Sequence, residues 1–358
     1  MEIIEHQETD FRNEKEFIAW KKYSDVGLSK TDKERLYSRI LASSMRSRKT
    51  RRRRIIYFTA AAACIALLAV STVVLLQRQS YWENNLHHAD ELAHGATTSN
   101  QIRFISGDTV VEIGENAQLA QNQDGSMSVM QATNVSNISL SHNVMNKLIV
   151  PAGRLSTLQL SDGTKIWLNS GTELHFPSNF SSHSREIRVI GEIYVEVAAS
   201  QTPFYVNTSL FRLKVHGTKF NVFAFDENEE NNVTLVEGSV EIVTQNRHTI
   251  WLSPNEKAVV SPIEAYKTRV NVEEYISWTE GVLIFNKTPF SVVLKKIGRH
   301  YDVKFVNDSG NDLSEKTCTG KLFLSEDFEE ILISLSALAS TQFRREGNVI
   351  HLVKENEQ

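Results

Sequence analysis

The sequence predicts a membrane-anchored, mainly β protein. It has a short helical N-terminal segment, one transmembrane helix, a β-rich domain that is solenoid- or sandwich-like, and a C-terminal α+β domain of repeated βαβ type. Three observations predict this. Ile55 to Gln77 is a run of 23 residues without a charge. From about Ile102 short runs alternate apolar and polar residues between turn residues. After Trp278 the alternation gives way to a strand and helix pattern that occurs twice. The expected division is residues 1–54, 55–77, a linker over 78–100, a β domain over 101–270 and a terminal domain over 278–355.

At about 1.5 Å per residue the uncharged run reaches roughly 35 Å as a helix, against a hydrocarbon core of roughly 30 Å. A signal peptide would place a shorter apolar core nearer the N-terminus, ahead of a small-residue cleavage site. Arg46, Arg48, Lys49 and Arg51 to Arg54 put seven cations and no acid into nine residues just before the run. Cations flanking a span stay cytoplasmic, so the N-terminus is expected inside and residues 78–358 outside. The net charge of −4 then divides in two: residues 1–54 hold 15 Lys+Arg against 9 Asp+Glu, and residues 78–358 hold 24 against 34. Wholesale disorder is excluded by 41% hydrophobic and 23% charged residues, and 358 residues allow two or three domains. Cys64 falls in the expected span, which leaves Cys318 no disulfide partner in its own compartment. An outer portion without disulfides favours a bacterial periplasm.

The inner segment is too short for a comfortable core of its own. Phe17, Ile18 and Trp20 follow a polar stretch, and after Gly27 the run Thr31-Asp-Lys-Glu34 reads as a capping box. Leu36, Tyr37, Ile40 and Leu41 then make one apolar stripe. Two amphipathic helices that cannot bury their stripes alone suit either an anchor on anionic lipid or a hairpin completed by a cytoplasmic partner. Phe17, Trp20, Leu36 and Ile40 are the candidate contacts. Past the span, Tyr81 and Trp82 suit the headgroup region, and His87, His88 and His94 sit in a polar linker with no second ligand cluster. No metal site is expected there.

The clearest strand is Ile187 to Val197, with Ile187, Val189, Ile193, Val195 and Val197 on one face and Arg188, Glu192, Tyr194 and Glu196 on the other. Glu192 and Glu196 could be read as glycosidase carboxylates, but acids alternating along a wet face follow from patterning alone. Parity favours a three-residue loop Asp162-Gly163-Thr164, pairing Leu160 with Ile166 and Leu158 with Leu168. In the terminal domain Val282 to Phe285 and Val303 to Val306 read as strands. Thr288-Pro289 reads as a helix cap before Val293, Leu294 and Ile297. Phe328, Ile331, Leu332, Leu335 and Leu338 make a second helical face, and strands over 342–344 and 348–353 close the unit. This unit has no glycine-rich phosphate loop, nucleophile motif or ligand-spaced cluster, and neither an enzyme, self-cleavage apart, nor a cofactor is expected.

Several blocks carry a resemblance. They are Pro151-Ala-Gly, Leu158-Gln-Leu-Ser-Asp-Gly-Thr-Lys-Ile-Trp-Leu-Asn169, Phe176-Pro-Ser-Asn-Phe180, Arg185, Gly191-Glu-Ile-Tyr-Val-Glu-Val197, Pro203-Phe204, Gly217-Thr-Lys-Phe-Asn-Val222 and Leu235-Val-Glu-Gly-Ser-Val240. In this order they resemble the periplasmic domain of FecR-type transmembrane anti-sigma factors. The tail resembles the C-terminal domain of Bacteroidetes members, which is similar to secretin/TonB short N-terminal modules. The motif residues are Asp162, Gly163, Trp167, Asn169, Gly191, Glu192, Gly217, Thr218, Phe220, Glu237 and Gly238.

The resemblance implies an inner-membrane, single-pass protein with its N-terminus in the cytoplasm and its C-terminus in the periplasm. It would relay the state of an outer-membrane TonB-dependent transporter in nutrient uptake to an extracytoplasmic-function (ECF) sigma factor, and so regulate transcription without itself contacting nucleic acid. The inner segment is shorter than the sigma-binding domain of proteobacterial relatives, and Val195 stands where the family usually has Phe. Some relatives cleave themselves at a Gly-Thr bond through attack of the Thr hydroxyl on the preceding carbonyl, which makes Gly217-Thr218 the matching candidate. The same pair also suits a tight turn followed by a strand. A membrane-anchored scaffold and a tethered glycan-active enzyme are the competing functional classes.

Overall fold

The computed structural model describes residues 101–353, apart from 115–116, 132–133, 142–143, 227–230, 309–314, 326 and 340, and scattered positions between 18 and 39. The expected span over 55–77, the linker over 78–100, and Phe17, Trp20, Leu36 and Ile40 lie outside the described residues. Among the described residues no helix is long and apolar enough to cross a membrane. The chain divides into two compact units, residues 1–81 and 82–358. In the first, the helix start differs from the expected Thr31 and Glu34 pair. The Ser29 Oγ accepts from the Asp32 backbone N–H at 3.3 Å and donates to Asp32 Oδ2 at 2.7 Å, so the side-chain cap sits two residues earlier. Thr31 is already helical, and its hydroxyl lies 2.9 Å from that of Ser29.

In the second unit 18 strands form one sheet that curls into two layers. One layer runs, in neighbour order, through Thr109–Ile113, Ile102–Ser106, Met145–Val150, Thr172–Pro177, the first half of Arg185–Glu196, Phe204–Asn207, Phe211–Val215, Val240–Thr244 and Thr249–Leu252. The other runs through Asn134–Ser139, Ser126–Gln131, Gln118–Gln121, Ser156–Gln159, Lys165–Leu168, the second half of Arg185–Glu196, Lys219–Ala224, Asn231–Glu237, Glu256–Val260 and Ala265–Arg269. Only two of these pairings are parallel, so of the two expected architectures the sandwich forms and the solenoid does not. Phe104, Leu148, Leu174 and Phe204 from one layer meet Leu158, Ile166, Phe220 and Leu235 from the other in a single buried core.

The strand Arg185–Glu196 belongs to both layers, because it turns at Gly191. Gly191 has φ +128°, and a Cβ there would lie 2.6 Å from the Thr172 Cα, which only glycine avoids. Ile187, Val189, Ile193 and Val195 are fully buried, as the alternation requires. The hairpin that follows Leu158 keeps the expected parity but slips by two residues: Leu158 faces Ile166 and Ser156 faces Leu168. Asp162 causes the slip. Its carboxylate accepts from the Thr164 N–H at 3.0 Å and the Thr164 hydroxyl at 2.8 Å, which draws Thr164 out of the loop and into the closing pair with Leu160. Asp162 also meets Arg185 at 2.7 Å, and the same guanidinium donates to the carbonyls of Ala198 and Thr202.

The connector Glu273–Glu280, a short α-helix running into a 3-10 turn, leads to the terminal α+β module. There Val282–Pro289 pairs with Thr317–Phe323, and Lys304–Asn307 pairs with Val349–Val353, which in turn pairs with Gln342–Glu346. The helix Phe290–Tyr301 buries Phe290, Val293, Leu294 and Ile297, and Phe328–Ala339 buries Phe328, Ile331, Leu332 and Leu335. Two expectations fail here. Thr288 and Pro289 are the end of a strand, with no side-chain cap, because Thr288 accepts instead from the Asn286 N–H at 3.2 Å. Leu338 is 41% exposed, at the end of its helix.

Candidate functional site

The site is the joint between the β domain and the terminal module. Lys165–Leu168 ends at Asn169, the second half of Arg185–Glu196 carries Glu192, and Lys219–Ala224 carries Asn221; adjacent strand pairing puts these three polar side chains on one outer face. The Asn169 amide donates to Glu192 Oε2 at 2.8 Å, and the Asn221 amide donates to Glu192 Oε1 at 3.0 Å. Trp278, buried in the connector, donates from Nε1 to Asn221 Oδ1 at 3.1 Å. Every partner in this chain is polar and satisfied, which is the condition for a buried network to fix one arrangement.

The helix Phe290–Tyr301 adds the second wall. Arg299 lies 3.9 Å from the Phe225 ring centroid and 5.0 Å from that of Phe223, and Lys296 lies 5.8 Å from that of Tyr275. Burial raises the Glu192 carboxyl above its ordinary range against the opposing influence of Lys296, the two amides and Arg299. Burial likewise lowers Lys296, against the charges of Glu192 and Glu274. His300 is pushed down to about 4 by burial, so it is neutral at pH 7, with Nδ1 3.4 Å from the Ser170 hydroxyl. Glu192 therefore does not lie on an open wet face as the alternation implied: it is half-buried, facing Lys296 and Arg299 of the terminal module across the cleft. Glu196, further along, accepts from the Tyr194 hydroxyl at 3.2 Å.

The other motif residues have structural places. Trp167 lies 5.3 Å from the Tyr194 ring, centroid to centroid, and Phe220 is fully buried in the core. Gly163 lies in the turn beside Asp162, and Glu237 pairs with Lys219 at 3.3 Å. Thr218 is buried and donates from its hydroxyl to the Ser239 carbonyl at 3.2 Å. Gly238, at φ +94°, packs on the Gly217-Thr218 peptide so closely that a Cβ would lie 3.0 Å from the Gly217 carbonyl oxygen. Among the described residues no group of three or more His, Cys, Asp or Glu is arranged to hold a metal ion.

Residues 146–241 match the model of the family described as FecR protein, and residues 282–352 match that described as FecR, C-terminal. The two matches meet at the joint just described. A crystal structure at 1.65 Å of "a putative anti-sigma factor from Parabacteroides distasonis ATCC 8503" is 30% identical, with a TM-score of 0.53 over 59% of this chain and 99% of that one. The chain belongs to the FecR family. A second structure of the same description, at 2.50 Å, is 29% identical over 60% of this chain and 100% of that one, also with a TM-score of 0.53. No curated protein matches.

In this FecR chain the structure brings Asn169 and Glu192 together with Asn221, Trp278, Lys296 and Arg299, none of which the motif reading singled out for a role. Lys296 and Arg299 carry a visible signal: two cations three apart on a helix whose other face is apolar. Asn221 carries none beyond its place inside the Gly217 to Val222 block.

Proposed function

We propose that the chain is an anti-sigma factor of cell-surface signalling, anchored by one span in the inner membrane. Its inner segment, through Phe17, Trp20, Leu36 and Ile40, holds an ECF sigma factor. Its periplasmic part receives the state of an outer-membrane TonB-dependent transporter and passes it inward, and the regulated output is transcription. The observation that carries this reading is the FecR architecture itself, both matched domains in one compact unit, together with 30% identity to a solved protein described as "a putative anti-sigma factor". The joint supports a regulatory rather than a catalytic role: the two oxygens of Glu192, the acid most open to a hydrolase reading, accept from the amides of Asn169 and Asn221. The charge partition and the uncharged run over 55–77 support the topology.

The test is recovery of partners on residues 1–54 from cells. A small two-domain sigma factor is expected, and polar substitutions at Trp20 and Ile40 are expected to release it. A tail that recovers no sigma factor removes the reading and leaves a membrane scaffold in its place.

A further inference from the structure

We infer that the cleft between the β domain and the terminal module binds a small organic di- or polyanion, held through carboxylate or phosphate groups, that bridges the two. The cleft encloses about 670 Å³, inside the range of roughly 300–1,000 Å³ typical of small-molecule sites, and it lies at a domain joint where such sites concentrate. Its walls carry four cations, Lys257 from the β domain and Lys295, Lys296 and Arg299 from the helix Phe290–Tyr301, against two acids, Glu192 and Glu274. One of those acids is already held by two asparagine amides. The remaining field is positive and comes from both sides of the joint.

A further observation points to a ligand. The Ser277 hydroxyl, on a residue only 7% exposed, lines the inner recess that shares Glu192, Lys296 and Arg299 with the main cleft, and it makes no hydrogen bond within the protein. Buried polar groups of this kind are ordinarily paired, so an unmatched hydroxyl in the recess beside the positive cleft marks donor capacity that an incoming anion completes. Phe223 and Tyr275 supply the apolar surface between the charges: Arg299 lies over the first, and Lys257 lies 4.9 Å from the ring centroid of the second. Burial holds Lys296 below its ordinary range, and a bound anion opposes that lowering.

This inference does not depend on the sigma-factor reading. The test is calorimetric titration of the full chain in detergent at fixed ionic strength, with citrate and pyrophosphate as probes and glucose as a neutral control. Saturable binding of at least one anion is expected, citrate alone marking a carboxylate site and pyrophosphate alone a phosphate site, with no heat from glucose. Lys296→Gln is expected to weaken binding about tenfold, the worth of one charge-assisted hydrogen bond. Lys295→Gln and Lys257→Gln, which leave the Glu192 network intact, keep the test valid if Lys296→Gln fails to fold. Arg212→Gln, on the far layer, is expected to bind as wild type. Absence of saturable binding by either anion overturns the inference, as does binding that survives both Lys295→Gln and Lys257→Gln unchanged.

Discussion

Trp278 donates its indole N–H to the side-chain oxygen of Asn221 at 3.1 Å, and both residues are buried. This bond ties the connector to the β domain immediately ahead of the terminal module. Trp278→Phe keeps most of the ring and removes the donor, leaving a buried acceptor without its partner. The expected loss is about 1–3 kcal/mol in denaturant unfolding of the full chain. An unchanged midpoint would mean that the joint is held by apolar contact alone.

Arg185 and Asp162 pin three segments of the β domain at one point, since the same guanidinium also reaches the carbonyls of Ala198 and Thr202. Arg185→Met leaves a largely buried carboxylate without its cation, for an expected cost of about 3–5 kcal/mol. Arg185→Lys is expected to recover only part of this, because an ammonium cannot reproduce the planar fork. Thermal unfolding of the three proteins checks the order.

Gly191→Ala tests the shared strand. At φ +128°, with the Thr172 backbone 2.6 Å from the new Cβ, strain and overlap act together. The expected destabilisation is at least about 1–3 kcal/mol by chemical unfolding, from the backbone strain alone.

Acid acts on this fold in two windows. His300 is lowered from its ordinary 6.5 to about 4 by burial, so the unfolded chain binds its proton first. Its contribution is complete above about 6.5 and is lost as pH falls toward 4. Burial alone would raise Glu173, but the hydrogen bond and charge of His175 and the charge of Lys147, 2.8 Å away, outweigh it and hold Glu173 at about 2. That contribution is present above the ordinary 4.5 and is lost as pH falls toward 2. Stability measured against pH should fall in two steps, with His300→Asn flattening the first and Glu173→Gln the second.

The Gly217-Thr218 bond lies outside the left-handed backbone region, and the Thr218 hydroxyl is engaged with the Ser239 carbonyl. This packing is that of a turn followed by a strand, and it predicts one full-length band when a doubly tagged chain is blotted. Two fragments from wild type, lost in Thr218→Ala, would instead assign Thr218 as a nucleophile.

The sequence made some of this legible because side-chain period and burial are directly linked. Ile187, Val189, Ile193 and Val195 alternate and are buried together. Parity also placed the Asp162 hairpin on the correct faces, but its register depended on hydrogen bonds between Asp162 and Thr164, which hydrophobic pattern does not encode. Ser29 rather than Thr31 caps its helix for a similar reason, since Ser-x-x-Asp and Thr-x-x-Glu offer the same chemistry two residues apart. Glu192 was the least legible residue. Alternation places it on the face away from the core, and only the fold shows that a second module faces it across a cleft, with Lys296 and Arg299 opposite.

Control of a sigma factor by this FecR-family chain is tested by genome-wide transcription on deletion of residues 1–54. Genes sharing one promoter class are expected to change together, and the same genes to respond to polar substitution of Trp20 and Ile40 in the intact chain. No coherent change in either strain would contradict it.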